Sequence, residues 1–342
     1  MSPFVQSLPV LVLFPHSRCN CRCVMCDIWK DSTKAELSPG ELERHLEDID
    51  SLSVQWVVLS GGEPLMHSDL FRFCDLLRSR QIRVTMLSTG LLLERYARRI
   101  VDSVDDVIVS LDGPPAVHNR IRRVPGAYAL MERGIAALHQ LEPCFPVAGR
   151  CTVQRENYFC LCETARTGKR LGLKSISFLA ADVSSEAFNR SGGWNSERQA
   201  CVALDEFEIA DLERELDALH REWHDSGFVL ESREKLQRIV LHYLAHLDLC
   251  KPVAPLCNAP WVSAVVEANG TVRPCFFHRP IGSIKDRSLF QILNGPAAVK
   301  FRSELDVASN PICRQCVCSL NWNPELRAKF LAQASEGQSA QA

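Results

Sequence analysis

Residues 19–29 read CNCRCVMCDIW and place four cysteines within eight positions. Three of them, Cys19, Cys23 and Cys26, have the spacing C-x3-C-x2-C. Thiolates this close on a loop can hold one face of a small metal cluster, and three ligands on a four-iron cluster leave one iron open to a non-protein ligand. A zinc site or a run of buried thiols is the alternative. Cys21 is interpreted as a buried bystander.

Composition limits the function classes that fit. The chain has 342 residues, is 46% hydrophobic and carries a formal net charge of -2, so neither a nucleic acid nor a membrane surface is expected as a partner. The start lacks the features of a signal peptide, and no apolar run approaches the roughly 18 residues that span a bilayer. The sequence predicts a soluble, cytoplasmic protein. Its 16 cysteines cluster, which favours metal binding over disulfides.

Short apolar segments alternate with helical patterns along the first half of the chain. The strand candidates are residues 8–14, 54–60, 82–87, 107–111, 147–153 and 175–179. Strands buried on both faces and separated by helices indicate a parallel sheet. Six units are too few for a closed eight-fold barrel, so the predicted fold class is α/β, a partial (β/α)6 TIM-like barrel with a small C-terminal α+β domain. Chemistry in such folds lies at the carboxyl ends of the strands.

The motifs that could bind a cofactor or carry chemistry all follow predicted strand ends. They are the cysteine loop, the turn Gly61, Gly62, Glu63 and Pro64, the tripeptide at 88–90, and Asp112. Two glycines in the turn allow backbone groups to come close to a small ligand. Arg120, Arg122 and Arg123 are interpreted as a solvated charge run.

A second set of cysteines lies near the C-terminus. Cys257 and Cys275 flank Asn269-Gly270, a strong hairpin signal that would bring them together. Cys313 and Cys316 follow as a C-x2-C pair. Spacing alone fits a structural zinc site and an iron–sulfur cluster about equally well.

With these motifs the sequence resembles the radical S-adenosylmethionine (radical SAM) enzymes over residues 8–205. The resemblance implies a [4Fe-4S] cluster on Cys19, Cys23 and Cys26, whose open iron binds S-adenosylmethionine. Reductive cleavage of that cofactor gives a 5′-deoxyadenosyl radical, which abstracts hydrogen from a substrate. Met25 stands where relatives usually have an aromatic residue, and the tripeptide at 88–90 lacks their asparagine.

The resemblance also implies cofactor contacts. Gly61 to Pro64 would bind the methionyl amino group through backbone carbonyls and Glu63. Ser110 and Asp112 match positions that contact the ribose, and Ser88 is a weaker candidate. No catalytic side chain or general base is assigned.

The C-terminal pattern resembles the auxiliary-cluster extension called SPASM, in its shortened twitch form. It implies one auxiliary [4Fe-4S] cluster on Cys257, Cys275, Cys313 and Cys316, with Cys318 as an alternative to Cys316 and electron transfer as its role. The predicted organisation is a barrel over 1–205 that ends in a flexible loop at 182–205, a helical bridge over 206–255, the auxiliary domain over 256–330 and a disordered tail over 331–342.

The expected function is oxidation or dehydrogenation of a small metabolite, with an electron donor such as a flavodoxin or ferredoxin as partner. The alternative is a peptide maturase that forms a crosslink or similar modification of a ribosomal peptide. A non-enzymatic metal-binding scaffold is the third hypothesis.

Overall fold

The central sheet begins with six parallel strands, each joined to the next through at least one helix. The computed structural model describes residues 1–323, 325 and 328. The strands are β1 Val10–Leu13, β2 Trp56–Leu59, β3 Arg83–Ser88, β4 Asp106–Ser110, β5 Val147–Val153 and β6 Ser175–Ala180. They pair in chain order, all parallel. This confirms the predicted α/β class.

Amphipathic helices cover one face of the sheet. In α4, for example, Leu93, Ala97 and Ile100 recur every three or four residues and are buried. The helices are α1 Pro39–Glu43, α2 Leu46–Ser51, α3 Leu70–Arg78, α4 Leu93–Ser103, α5 Pro115–Arg122, α6 Ala127–Leu141, α7 Leu161–Arg170, α8 Ser196–Ala200, α9 Glu206–Trp223, α10 Arg233–His246, α11 Ala259–Val262, α12 Leu289–Leu293, α13 Pro296–Glu304 and α14 Pro311–Arg314.

The other face of the sheet, called the inner face below, is polar across β4, β5 and β6. Ser110 pairs in register with Arg150, and Arg150 pairs with Ser177. Side chains of residues opposite each other in neighbouring strands point to the same face. The residues flanking Arg150, Gly149 and Cys151, alternate to the buried side. The register therefore aligns three polar side chains on the inner face.

The C-terminal region continues the same sheet. Its strands are β7 Ser263–Val266, β8 Thr271–Arg273 and β9 Gly282–Ser283. β7 pairs in parallel with β1, and β7 and β8 form an antiparallel hairpin around Gly270, whose φ is +88°. The predicted hairpin is confirmed, whereas the docking of β7 on β1 was not predicted. The sheet thus joins the cysteine loop after β1 to the C-terminal cysteines.

The bridge between the two regions packs firmly on the barrel. Val229 pairs with Ile176 of β6, and Tyr243 of α10 is fully buried. The Tyr243 hydroxyl donates to the carbonyl of Val153 at 2.6 Å and accepts from the N–H of Ala181 at 3.2 Å. The bridge therefore satisfies backbone groups at the carboxyl ends of β5 and β6.

Two other predictions concern membrane-spanning helices and the C-terminal tail. Within the described residues, no helix has the length and apolar character needed to cross a bilayer. The predicted tail over 331–342 lies outside the described residues.

Tyr243→Phe is expected to lower the free energy of unfolding by about 0.5–1.5 kcal/mol, because the carbonyl of Val153 and the N–H of Ala181 lose their bonds to the hydroxyl but stay bonded to each other at 2.9 Å. Urea denaturation measures the change. Tyr96→Phe is the control, since its hydroxyl makes no hydrogen bond within the described chain, and its effect should stay within about 0.5 kcal/mol. Equal effects of the two substitutions would contradict the assigned role of Tyr243.

Candidate functional site

The cysteine loop follows β1 and is closed by hydrogen bonds to sulfur. The N–H of Cys21 donates to Sγ of Cys19 at 3.5 Å, and the N–H of Ile28 donates to Sγ of Cys26 at 3.4 Å. Cys19, Cys23 and Cys26 lie near enough to influence one another's ionisation. The structure therefore brings the three predicted cysteines together.

These thiols need a positively charged partner. Burial raises the pKa of Cys19 and the pKa of Cys26 to about 12. A hydrogen bond from the Cys21 thiol, together with the charge of Arg122, lowers the pKa of Cys23. A buried thiolate is costly without compensating charge, and thiolates are the usual ligands of iron–sulfur clusters. The loop thus fits a cluster whose irons supply that charge.

Arg122 is a site residue that the sequence did not reveal. Its Nη1 lies 3.4 Å from Sγ of Cys23, and its Nη2 lies 2.5 Å from Oδ2 of Asp112. The interpretation as a solvated charge is wrong for Arg122, because α5 turns the side of His118, Ile121 and Arg122 inward. That i, i+3, i+4 spacing was the available signal.

Asp112 and Ser110 differ in burial and in their interaction partners. Asp112 is fully buried, and its carboxylate pairs with Arg122 and accepts from the N–H of Thr152 at 3.1 Å. Its Oδ1 therefore has a protein partner, whereas Oδ2 lies at ion-pair distance from Arg122 and makes no hydrogen bond within the described residues. The predicted ribose contact of Asp112 stays a prediction. Ser110 is half-buried on the inner face beside Arg150.

The turn after β2 contacts the backbone of the cysteine loop. The N–H of Glu63 donates to the carbonyl of Arg18 at 2.9 Å. A Cβ on Gly62 would lie 1.8 Å from that carbonyl oxygen, and Gly61 has a φ of +97°. The glycines were predicted to admit a small ligand; the close approach observed at Gly62 is to Arg18. The turn thereby fixes the position of the cysteine loop.

Glu63 connects this turn to the end of β3. It is fully buried and accepts from Ser88 Oγ at 3.0 Å, from the N–H of Thr89 at 2.6 Å and from Thr89 Oγ1 at 2.7 Å. Burial raises the pKa of Glu63, and these hydrogen bonds oppose the rise. Ser88 thus holds Glu63, and Thr89 is a second residue that sequence reasoning missed.

His16 fixes the backbone of the same turn. Its Nδ1 accepts from the N–H of Arg18 at 2.8 Å, so the proton must be on Nε2, which donates to the carbonyl of Glu63 at 2.6 Å. Burial lowers the pKa of His16 to about 4, which keeps the ring neutral. His16 therefore packs as a neutral ring beside the cysteine loop.

The segment 182–205 was predicted to be a flexible loop, but the structure packs it over the cysteine loop. Arg190 Nη2 donates to the carbonyl of Met25 at 2.5 Å, and Trp194 Nε1 donates to Oδ2 of Asp27 at 2.7 Å. The Arg190 guanidinium is buried, pairs with Asp182 at 2.9 Å and lies 3.6 Å from the Trp194 ring centroid. The segment, called the strap below, therefore clamps the residues around Cys26.

The C-terminal cysteines also converge. Each is close enough to another of the set to affect its ionisation, and the set is Cys257, Cys275, Cys313, Cys316 and Cys318. Burial raises the pKa of Cys275 to about 11 and the pKa of Cys313 to about 12. His278 Nε2 lies 3.4 Å from Sγ of Cys313. Four half-buried thiols and the exposed Cys318 in one place fit a second cluster.

A cavity of about 430 Å³ lies between β5, β6, α10 and residues 314–319. Arg150 and Ser177 line it from the inner face of the sheet. Cys316 and Cys318 line it from the C-terminal set. The cavity is therefore bordered by the polar barrel face on one side and by the second cysteine set on the other.

The chain contains a radical SAM domain and a SPASM domain. Residues 13–166 match the radical SAM superfamily, and residues 257–317 match SPASM, an iron–sulfur cluster-binding domain. The domains imply a [4Fe-4S] cluster that binds S-adenosylmethionine and an auxiliary cluster. For the second cysteine set, this favours iron–sulfur over zinc.

The relatives extend this comparison. The chain is 30% identical over 159 residues to AdoMet-dependent heme synthase of Methanosarcina barkeri, 45% of each chain. It spans less than half the length of the curated relatives it matches. Among solved structures, anSMEcpe with bound AdoMet has a TM-score of 0.65 at 17% identity, covering 96% of this chain and 97% of that chain. Streptococcus suis SuiB bound to precursor peptide SuiA has 0.64 at 12%, covering 93% and 72%. Both share the fold.

Gly62→Ala is expected to destabilise the protein by about 1–3 kcal/mol or more and to displace the cysteine loop, because a backbone carbonyl cannot rotate away. Gly40→Ala in α1 is the matched control, since a Cβ there meets nothing within 4 Å. It should stabilise by up to about 1 kcal/mol. Chemical denaturation under anaerobic conditions measures both, and a neutral Gly62→Ala would refute the contact.

Asp112→Asn is expected to cost about 3–5 kcal/mol, because Arg122 keeps a buried charge without its carboxylate. Glu94→Gln breaks the exposed pair with Arg133, whose atoms are 3.1 Å apart, and should cost at most about 1 kcal/mol. Urea midpoints compare the two. If Asp112→Asn were as mild as Glu94→Gln, the Asp112 carboxylate would not be paired as described.

Proposed function

We propose that Cys19, Cys23 and Cys26 hold the cofactor-binding [4Fe-4S] cluster. The convergence of the buried Cys23 with the half-buried Cys19 and Cys26, beside the buried Arg122, supports this assignment. When bound, the cluster supplies the electron that cleaves S-adenosylmethionine to methionine and a 5′-deoxyadenosyl radical, which abstracts a hydrogen atom from the substrate. The protein's part is to hold the sulfurs, compensate their charge and orient the cofactor.

We assign cofactor contacts to polar groups that are not engaged by other groups of the protein. Glu63, Ser88 and Asp112 are engaged by protein partners, so we assign them to positioning. The half-exposed backbone of Gly61 and Gly62 is assigned to the methionyl end, with Glu63 and Pro64 fixing its path. Ser110, on the inner face, is assigned to the ribose.

The second cysteine set is proposed to hold one auxiliary [4Fe-4S] cluster through Cys257, Cys275, Cys313 and Cys316. The Cys316 Sγ lies 3.0 Å from the carbonyl oxygen of Cys318, and Cys318 is the alternative fourth ligand. A cluster ligated by four cysteines has no open iron, which favours electron transfer as its role.

For the net reaction, we propose oxidation or dehydrogenation of a small metabolite in the cavity bordered by the inner face of the sheet and by the second cysteine set. A volume of about 430 Å³ suits a small molecule, and the curated relative named above is a heme synthase. A flavodoxin or ferredoxin is the proposed electron donor. A ribosomal peptide is the second candidate substrate, because SuiB, which shares the fold, is described with a precursor peptide.

Cys19→Ala is expected to abolish formation of 5′-deoxyadenosine after anaerobic reconstitution and reduction, while the auxiliary cluster survives. Iron should fall from about eight to about four per chain, as two four-iron clusters become one. Chromatography of the nucleoside and iron analysis measure these quantities. The exposed Cys144→Ala is the matched control and should change neither.

Two results would count against the proposal. Wild-type protein with intact clusters that forms no 5′-deoxyadenosine would refute the enzymatic assignment. Loss of the auxiliary iron in Cys318→Ser, with retention in Cys316→Ser, would replace Cys316 by Cys318 in the ligand set.

A further inference from the structure

Arg150 occupies an unusual position for a charged residue. It lies in the middle of β5, on the inner face, and its side chain is exposed to the cavity. Its Nε lies 3.3 Å from Oγ of Ser177. Within the described chain, its guanidinium forms no ion pair with a carboxylate. Its guanidinium is therefore exposed to solvent in the cavity and open to a ligand.

Arginines with less exposed side chains have partners within the protein. Arg83 pairs with Asp106 at 2.7 Å, Arg122 pairs with Asp112 at 2.5 Å, and Arg190 pairs with Asp182 at 2.9 Å. The buried Arg302 instead donates to the backbone carbonyls of Pro3 and Leu293. Within the described residues, Arg150 has neither kind of partner, and it lines the cavity of about 430 Å³.

Three more cations surround the same cavity. Lys235 and Arg238 come from α10, and Arg314 comes from the end of α14. The two arginines donate to backbone carbonyls: Arg238 to Val253 at 3.2 Å and Arg314 to Pro252 at 2.9 Å. In the described part of the chain, none of the three cations is ion-paired. Together with Arg150, these make four cations around one cavity, and they create a positive potential that attracts anions.

Little negative charge opposes them. Among the described residues that line the cavity, Glu231 is the one carboxylate. Burial raises the pKa of Glu231 to about 7, and the group accepts from the N–H of Phe178 at 2.9 Å. His242 also lines the cavity, and burial lowers its pKa to about 4, which keeps it neutral. The cations thus outnumber the acid.

We propose that the substrate is a small anion, bearing carboxylate or phosphate groups, and that Arg150 binds one of these groups through its free guanidinium nitrogens. This inference rests on the proposed function, because it names the substrate class of the same site. A guanidinium offers two parallel donors that match a carboxylate or phosphate. Arg150 lies on the floor formed by the sheet, while Lys235, Arg238 and Arg314 surround the remainder of the ligand.

The test uses anaerobically reconstituted full-length protein and two probes, glutarate and inorganic phosphate, titrated by calorimetry at constant ionic strength. At least one probe should bind wild-type protein, and Arg150→Met should weaken that binding by about tenfold or more. Arg150→Lys should retain part of the affinity. Lys235→Gln, at the wall of the cavity, should weaken it less. Arg95→Met, an exposed arginine outside the cavity, should leave binding unchanged.

The outcomes distinguish failure of the anion site from failure of the proposed reaction. Preference for glutarate indicates a carboxylate substrate, and preference for phosphate indicates a phosphorylated one. Equal binding by wild-type protein and both Arg150 variants, or no binding by wild-type protein, overturns the inference while 5′-deoxyadenosine formation still supports the proposed function. Conversely, if wild-type protein binds the probe but forms no 5′-deoxyadenosine, the proposed reaction fails and the anion site stands.

Discussion

The backbone contact between Gly62 and Arg18 is the constraint on which the rest of the site depends. The carbonyl of Arg18 immediately precedes Cys19, so the turn after β2 fixes where the cysteine loop begins. Glu63 transmits the same constraint to the end of β3 through three hydrogen bonds from Ser88 and Thr89. Three adjacent strand ends are thereby locked into one rim. A loop that carries three thiols needs such support, because ligand geometry tolerates little displacement.

Two buried ion pairs add to the backbone contacts that position the cysteine loop. Arg122 reaches the loop from α5 and Arg190 reaches it from the strap, and each is balanced by its own buried aspartate. The two guanidiniums lie on the Cys23 and Cys26 sides of the loop, respectively. Hydrogen bonds and charges around cluster sulfurs tune reduction potential. The same residues therefore stabilise the fold locally and set the environment in which the proposed cluster would accept an electron.

Sequence reasoning recovered the features that are local. The strands followed from apolar runs, the hairpin from Asn269-Gly270, and both cysteine sets from spacing, since each depends on neighbours in the chain. It missed Arg122, Thr89, the strap and the docking of β7 on β1. Each of these depends on contacts between distant segments: Arg190 is 165 residues from Met25. Asp112 was predicted from its place after β4 and from the family resemblance, whereas its ion pair with Arg122 was not predicted.

The two cysteine sets are connected by strand pairing and by packed aromatic rings. β7 joins β1 directly, and Phe276, next to Cys275, lies 5.8 Å from Phe14 at the end of β1 and 4.7 Å from Phe188 in the strap, centroid to centroid. The strap thus touches the surroundings of both sets, and Ser184 within it also lines the cavity. A ligand in that cavity would contact the sheet, the strap and the C-terminal set at once. Because these elements pack on one another, a ligand that displaced one of them would also displace its neighbours beside both cysteine sets.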